Sequence, residues 1–168
     1  SSKITKISGG ISFTGDFKEI YKINLISRIG MSLLVKIFDF DFHSIDELYD
    51  KIYSFEWNSV LSHNLTFSIN SSFVNENSNI RNTQFANLKI KDAICDKIKD
   101  IKSKRPYVDK ESPMVPIRAV FNKEKCIVYL NSSGAPLYKR NYKKNSHEAS
   151  INECLAAGLI KMSNWNEE

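Results

Sequence analysis

Little in this 168-residue chain invites a catalytic reading. Its three cysteines, Cys95, Cys126 and Cys154, are odd in number and widely spaced, with no CxxC pair, so neither a disulfide framework nor a zinc site is indicated and a reducing cytoplasm fits. The histidines His43, His63 and His147 fall in separate segments without an HExxH pattern or a neighbouring Cys or carboxylate at ligand spacing. There is no GxSxG, no GxGxxG and no Walker loop. Gly9-Gly10 sits inside a hairpin pattern rather than at a strand-to-helix junction and makes no phosphate cradle. Catalytic, cofactor-binding and metal-ligating residues are therefore expected to be absent. Long apolar runs are missing too: Met31 to Val35 stops far short of the roughly 18–20 residues that cross a bilayer. No secretory start is recognisable, and without an initiator Met the chain reads as an excised piece.

What is present is a globular composition, 42% hydrophobic, 26% charged and 11% aromatic, which excludes disorder and fibres. The net charge of +5 is unevenly placed. Residues 1–78 carry 7 Lys and Arg against 9 Asp and Glu, whereas residues 79–168 carry 17 against 10. A one-sided positive field is the footprint of a polyanion binder, because neutralised phosphates supply most non-specific nucleic-acid affinity; it is also what a solvated Lys-rich surface looks like.

Residues 3–7 and 10–14 alternate around Gly9-Gly10 and predict a β-hairpin. Asp16 is a good N-cap for a helix carrying Phe17, Ile20, Ile23, Leu25 and Ile26 and ending near Gly30, and Met31 to Phe42 then alternates as a strand. The order β-β-α-β predicts a ferredoxin-like unit over residues 1–43 that lacks its first strand and helix. Ser44 and Glu47 match a capping box for a helix to about Phe55. A short turn or helix at 57–61, a strand at 65–74, a long helix at 82–103 and strands at 115–122 and 125–131 complete a second unit, α-α-β-α-β-β, over 44–135. In the long helix Ala86, Ile90, Ile94, Ile98 and Ile101 form the core stripe, while Lys91, Lys99 and Lys102 point away. Residues 136–168 add a basic segment and an exit helix. The fold class is α+β.

The candidate site is a basic constellation in two stretches: Lys89, Lys91, Lys104, Arg105 and Lys110, then Lys139, Arg140, Tyr142, Lys143 and Lys144, with Tyr138 interleaved. Lys and Arg suit phosphates and Tyr can stack on unpaired bases, so the chemistry favours RNA.

The run NTQFANLKIKDAICDKIKDIKSKRPYVDKESP, a strand pair ending in LNSSGAPLYKRNYK, and ASINECLAAGLIKMSNW resemble the N-terminal part of bacterial THUMP-domain methyltransferases that modify N2 of guanine in large-subunit ribosomal RNA. The GGISFTG hairpin and LYDKIYSFEW resemble it as well, so the similarity covers nearly the whole chain. The resemblance implies a partial ferredoxin-like domain followed by a THUMP domain. It implies RNA, in particular large-subunit rRNA, as partner, and a methyltransferase domain of the same protein that would bind S-adenosylmethionine, for which this chain carries no motif. Such a chain alone is expected to be inactive, cytoplasmic and free of membrane contact. Asn141, Lys143 and Asn131 stand where the family usually has Gly, Arg and Asp, which weakens phosphate recognition at 143 relative to Arg140. A stand-alone RNA-binding protein, a tRNA methyltransferase and a protein labelled as a DNA adenine methylase are the alternatives.

Overall fold

The computed structural model describes residues 4–75, 80, 82–140, 150–163 and 165. Its elements run β1 (Thr5–Ile7), β2 (Gly10–Ser12), α1 (Phe17–Ile26), β3 (Leu34–Asp41), α2 (Ile45–Ser54), a 3-10 turn (Trp57–Ser59), β4 (Thr66–Phe73), α3 (Thr83–Lys102), β5 (Tyr107–Val108), β6 (Val115–Asn122), β7 (Lys125–Asn131) and α4 (Glu153–Met162). The fold is α+β, as expected, and divides into two compact units, Val35–Asn131 and Ser1–Leu34 with Ser132–Glu168.

The larger unit is built on a five-stranded sheet in the order β3-β7-β6-β4-β5. β4 runs parallel to both β5 and β6, and β6 is antiparallel to β7 across a two-residue turn in which Lys123 takes a φ of 53°. Alternation decides the faces: Ile117, Ala119 and Phe121 of β6 and Cys126 and Val128 of β7 are buried, while Arg118 faces water. Helix α3 starts at Asn82, whose side chain accepts from Gln84 N at 2.8 Å, and ends at Ser103, a left-handed residue (φ 56°) whose N–H bonds Lys99 O at 2.7 Å. It buries Ala86, Ile90, Ala93, Ile94, Cys95 and Ile98. The expected stripe fails only at Ile101, which is 41% exposed. Ile101 falls in the last turn of α3, just before the chain leaves the helix at Ser103.

Helix α2 begins at Ser44, whose Oγ accepts from Glu47 N at 3.1 Å; Glu47 Oε2 in turn accepts from His43 N at 2.8 Å, one residue earlier than a capping box requires. Trp57 is fully buried and its indole N–H donates to Ile52 O at 2.6 Å, so the largest side chain in the core has no unpaired polar atom. Phe38 stacks on Phe55 at 4.1 Å, and Phe42 meets Phe121 edge-on at 5.7 Å.

Two expectations are corrected. The order β-β-α-β is observed, but β3 belongs to the larger sheet beside β7, and Phe42 N bonds Glu124 O at 2.8 Å; β1 and β2 pair only with each other. An alternating strand must find a hydrogen-bonding edge, and its pattern does not say which. Residues 35–43 thus pack with the second unit and 132–135 with the first. Second, between the long helix and the strand at 115–122, where no strand was expected, lies β5, too short for alternation to reveal. In the smaller unit, the hairpin turns at Gly9 (φ 77°) and Asp16 caps α1 in a full capping box with Glu19. That helix stops at Ile26 rather than near Gly30.

Deleting the Ile94 side chain beyond Cβ (Ile94→Ala) leaves a cavity at the centre of the α3 stripe and should cost about 2–5 kcal/mol, whereas Ile101→Ala should cost less than about 1 kcal/mol, both read from urea unfolding midpoints.

Candidate nucleic-acid interface

Helix α3 carries two charge rows. Asp92, Asp96 and Asp100 follow one another at four-residue spacing and so share a face. Each is satisfied internally. Tyr49 and Tyr53 of α2, stacked at 6.1 Å, donate their hydroxyls to Asp96 at 2.9 Å and Asp100 at 2.5 Å. Lys91 Nζ lies 2.9 Å from Asp92, and Arg105 reaches back over the helix end to Asp92 at 3.3 Å and Asp96 at 3.9 Å. Lys97 sits 5.3 Å from the centre of the Tyr53 ring. Burial, followed by the hydrogen bond to Asp96, pushes the Tyr49 hydroxyl up to about 12. The Cys95 thiol is also raised by burial, with the Arg105 guanidinium opposing.

The aspartates of α3 thus all have partners, and so do some of its lysines, whereas Lys99 and Lys102 have no carboxylate partner among the described residues. Of the five cations expected in the first stretch, Lys89 lies 3.9 Å from Asp46 and 6.0 Å from the Phe85 ring, and Lys91 and Arg105 are paired as described. Lys104 and Lys110 are exposed and have no carboxylate partner among the described residues. The paired cations are half-exposed, and pairs of that kind contribute about 0–1 kcal/mol, so a phosphate can compete for them.

The second stretch lies in the smaller unit. Lys139 is exposed, while Tyr142, Lys143 and Lys144 lie outside the described residues. Arg140 donates from Nη1 to Leu25 O and from Nη2 to Asn24 O, both at 2.6 Å. Helix α1 has no basic residue in its last turn, and its final carbonyls would otherwise lack a protein partner. The fork of Arg140 supplies that cap. Asn24 is held further by Ser133 Oγ, which donates to its Oδ1 at 2.6 Å and accepts from Leu33 N at 2.8 Å. The segment 132–140 is therefore a brace for α1, a role that its Arg and Lys content does not announce. Sequence reasoning also missed the Asp92-Asp96-Asp100 row, although its spacing was visible, and Tyr107, an exposed ring in β5.

Two outcomes follow from this geometry. Arg140→Ala should lower stability by about 1–2 kcal/mol, with Arg140→Lys restoring less than half because an ammonium lacks the planar fork whose two nitrogens each meet one carbonyl; thermal unfolding of the three proteins reads it. The Tyr49 phenol, raised in the folded state, lends stability that is complete below pH 10 and is lost as pH rises toward 12; Tyr49→Phe should flatten that alkaline loss in unfolding midpoints.

The family description THUMP domain matches residues 42–131. Along 163 residues, 97% of its length, the chain is 37% identical to a ribosomal RNA large subunit methyltransferase K/L of Psychromonas ingrahamii, and it spans 22% of that relative. In structure it resembles a possible methylase of Clostridium difficile (TM-score 0.82, 27% identity) and a predicted N6-adenine-specific DNA methylase of Listeria monocytogenes (TM-score 0.83, 22% identity), covering 98% of this chain and 43% of each of those chains. The chain belongs to the THUMP-domain family.

Proposed function

We propose that this chain is the RNA-gripping, targeting part of an S-adenosylmethionine-dependent methyltransferase that acts at N2 of guanine in large-subunit ribosomal RNA. It holds a folded rRNA segment so that one guanine, turned out of its helix, reaches a methyltransferase domain of the same protein. The observation that carries the reading is the match along 97% of the chain to a ribosomal RNA large subunit methyltransferase. The uncompensated lysines of the THUMP unit supply the chemistry it needs. A stand-alone RNA-binding protein is not favoured, since the curated relatives hold this segment as about a fifth of a longer chain. A protein of this kind works on ribosomes in the cytoplasm, and no helix among the described residues is long and apolar enough to cross a membrane.

The proposed contact set is Lys89, Lys91, Lys104, Arg105, Lys110, Lys139, Arg140, Tyr142, Lys143 and Lys144, and the geometry ranks it. Lys104, Lys110 and Lys139 have no carboxylate to give up among the described residues before meeting a phosphate; Lys89, Lys91 and Arg105 must exchange one; Arg140 spends two of its donors on α1. S-adenosylmethionine would supply the methyl group, but the described residues do not fit it. The only strand-to-helix passage in the parallel part of the sheet, from β4 to α3 through 74–82, contains no glycine, and the left-handed glycines Gly9 and Gly134 lie in a hairpin turn and after β7. We assign the donor to the methyltransferase domain.

A titration of a large-subunit rRNA hairpin by fluorescence anisotropy at several salt concentrations tests the reading. Affinity should fall steeply and log-linearly with salt, and Lys104→Ala and Lys110→Ala should each reduce that slope by about one. An affinity indifferent to salt would sink the proposal.

A further inference from the structure

Tyr107 occupies β5, the strand at the sheet edge, and is 75% exposed. The other described tyrosines of this unit are committed elsewhere: Tyr49 and Tyr53 are bonded to Asp96 and Asp100, and Tyr129 is half-buried in β7. The Tyr107 ring has neither a hydrogen-bond partner nor an aromatic neighbour among the described residues. Its backbone is nonetheless fixed: Tyr107 pairs with Thr66 and Val108 with Phe67 of β4, Asp109 N bonds Phe67 O at 3.0 Å, and Pro106 is buried just before it. A large apolar ring is thus carried on a rigid ladder with its faces open to water.

Its surroundings are cationic. Residues 97–110 contain six Lys and Arg against two Asp. Asp109 is turned inward on its own loop, accepting from Glu111 N and Ser112 N, and Asp100 is held by Tyr53. Arg105 is drawn to Asp92 and Asp96, and Lys97 to the Tyr53 ring. Lys99, Lys102, Lys104 and Lys110 are left without a carboxylate partner among the described residues, and the last three bracket Tyr107 in the chain. A stack of two paired strands offers cations its phosphates but offers a ring no free base face, whereas an unpaired nucleotide offers both.

We propose that Tyr107 is a stacking platform for one unpaired base of the bound RNA, with Lys102, Lys104 and Lys110 seating the phosphates beside it. The inference rests on the RNA reading above and adds to it a preference for a single-stranded element next to the gripped helix. Stacking uses the ring and not the hydroxyl, so the contact is tolerant of base identity.

The test compares an rRNA hairpin carrying a short single-stranded oligouridine tail with the same hairpin cut blunt, by anisotropy at low salt with the 168-residue chain. The unaltered chain should bind the tailed RNA more tightly. Tyr107→Ala should lose about five- to one-hundred-fold on the tailed RNA, little on the blunt one, and keep the salt slope; Tyr107→Phe should bind as the unaltered chain does, and Tyr107→Leu as Tyr107→Ala does. Circular dichroism shows whether each variant keeps its fold. The proposal is overturned if Tyr107→Ala holds the tailed RNA undiminished, or if leucine serves as well as phenylalanine, which would make the contact apolar burial rather than stacking. Failure of the unaltered chain to bind either RNA would overturn the RNA reading itself, a result distinct from the first two.

Discussion

Helix α3 has to satisfy two demands with one surface. One side must bury Ala86, Ile90, Ala93, Ile94 and Ile98, and the flank beside it carries three carboxylates at four-residue spacing. Three aspartates stand there against five lysines of the same helix, Lys89, Lys91, Lys97, Lys99 and Lys102, so α3 keeps a net positive charge. The two tyrosines of α2, whose rings stack on each other, each donate a hydroxyl to one of these carboxylates, which leaves the charge in place but ties α2 to α3. Arg105, thrown back by the left-handed turn at Ser103, takes the third together with Lys91. How α2 and α3 pack, and where the chain goes after Ser103, thus decide which charged groups of this unit already have partners.

Much of this was legible beforehand. The limits of β6 and β7 follow from strict alternation closed by a polar turn, and the caps at Asp16 and Ser44 from short-range chemistry, because these features depend on residues within a few positions of one another. Sheet membership depends on partners far away in the chain. β3 reads as the end of one unit and hydrogen-bonds as the edge of another, and nothing in its alternation distinguishes the two.

The basic residues divide in the same way. A positive charge in a sequence states what a side chain can attract and is silent on what already attracts it. Arg140 looked like the best phosphate ligand in the chain, an Arg among lysines and tyrosines, but the ends of α1 offer it two carbonyls at 2.6 Å. Lysines 104 and 110, less conspicuous, have no such competitor among the described residues. Arginine's planar fork makes it the better ligand for RNA and, for the same reason, the better staple for a helix terminus, which is the use Arg140 is put to here.

Under the proposed function, that division bears on how such a surface would recognise RNA. Ammonium groups on flexible stems neutralise phosphates with little regard for geometry, and their contribution falls with salt. They cannot by themselves select a position along a helix. Selection needs a contact that only some positions can make, and Tyr107, an exposed ring bracketed in the chain by Lys102, Lys104 and Lys110, sits at the sheet edge on a two-residue strand that buries neither of its residues. An unpaired base is a local feature of a folded RNA, whereas phosphates are everywhere along it. A ring that stacks on such a base therefore converts general electrostatic attraction into a register, and a register is what a targeting module must provide.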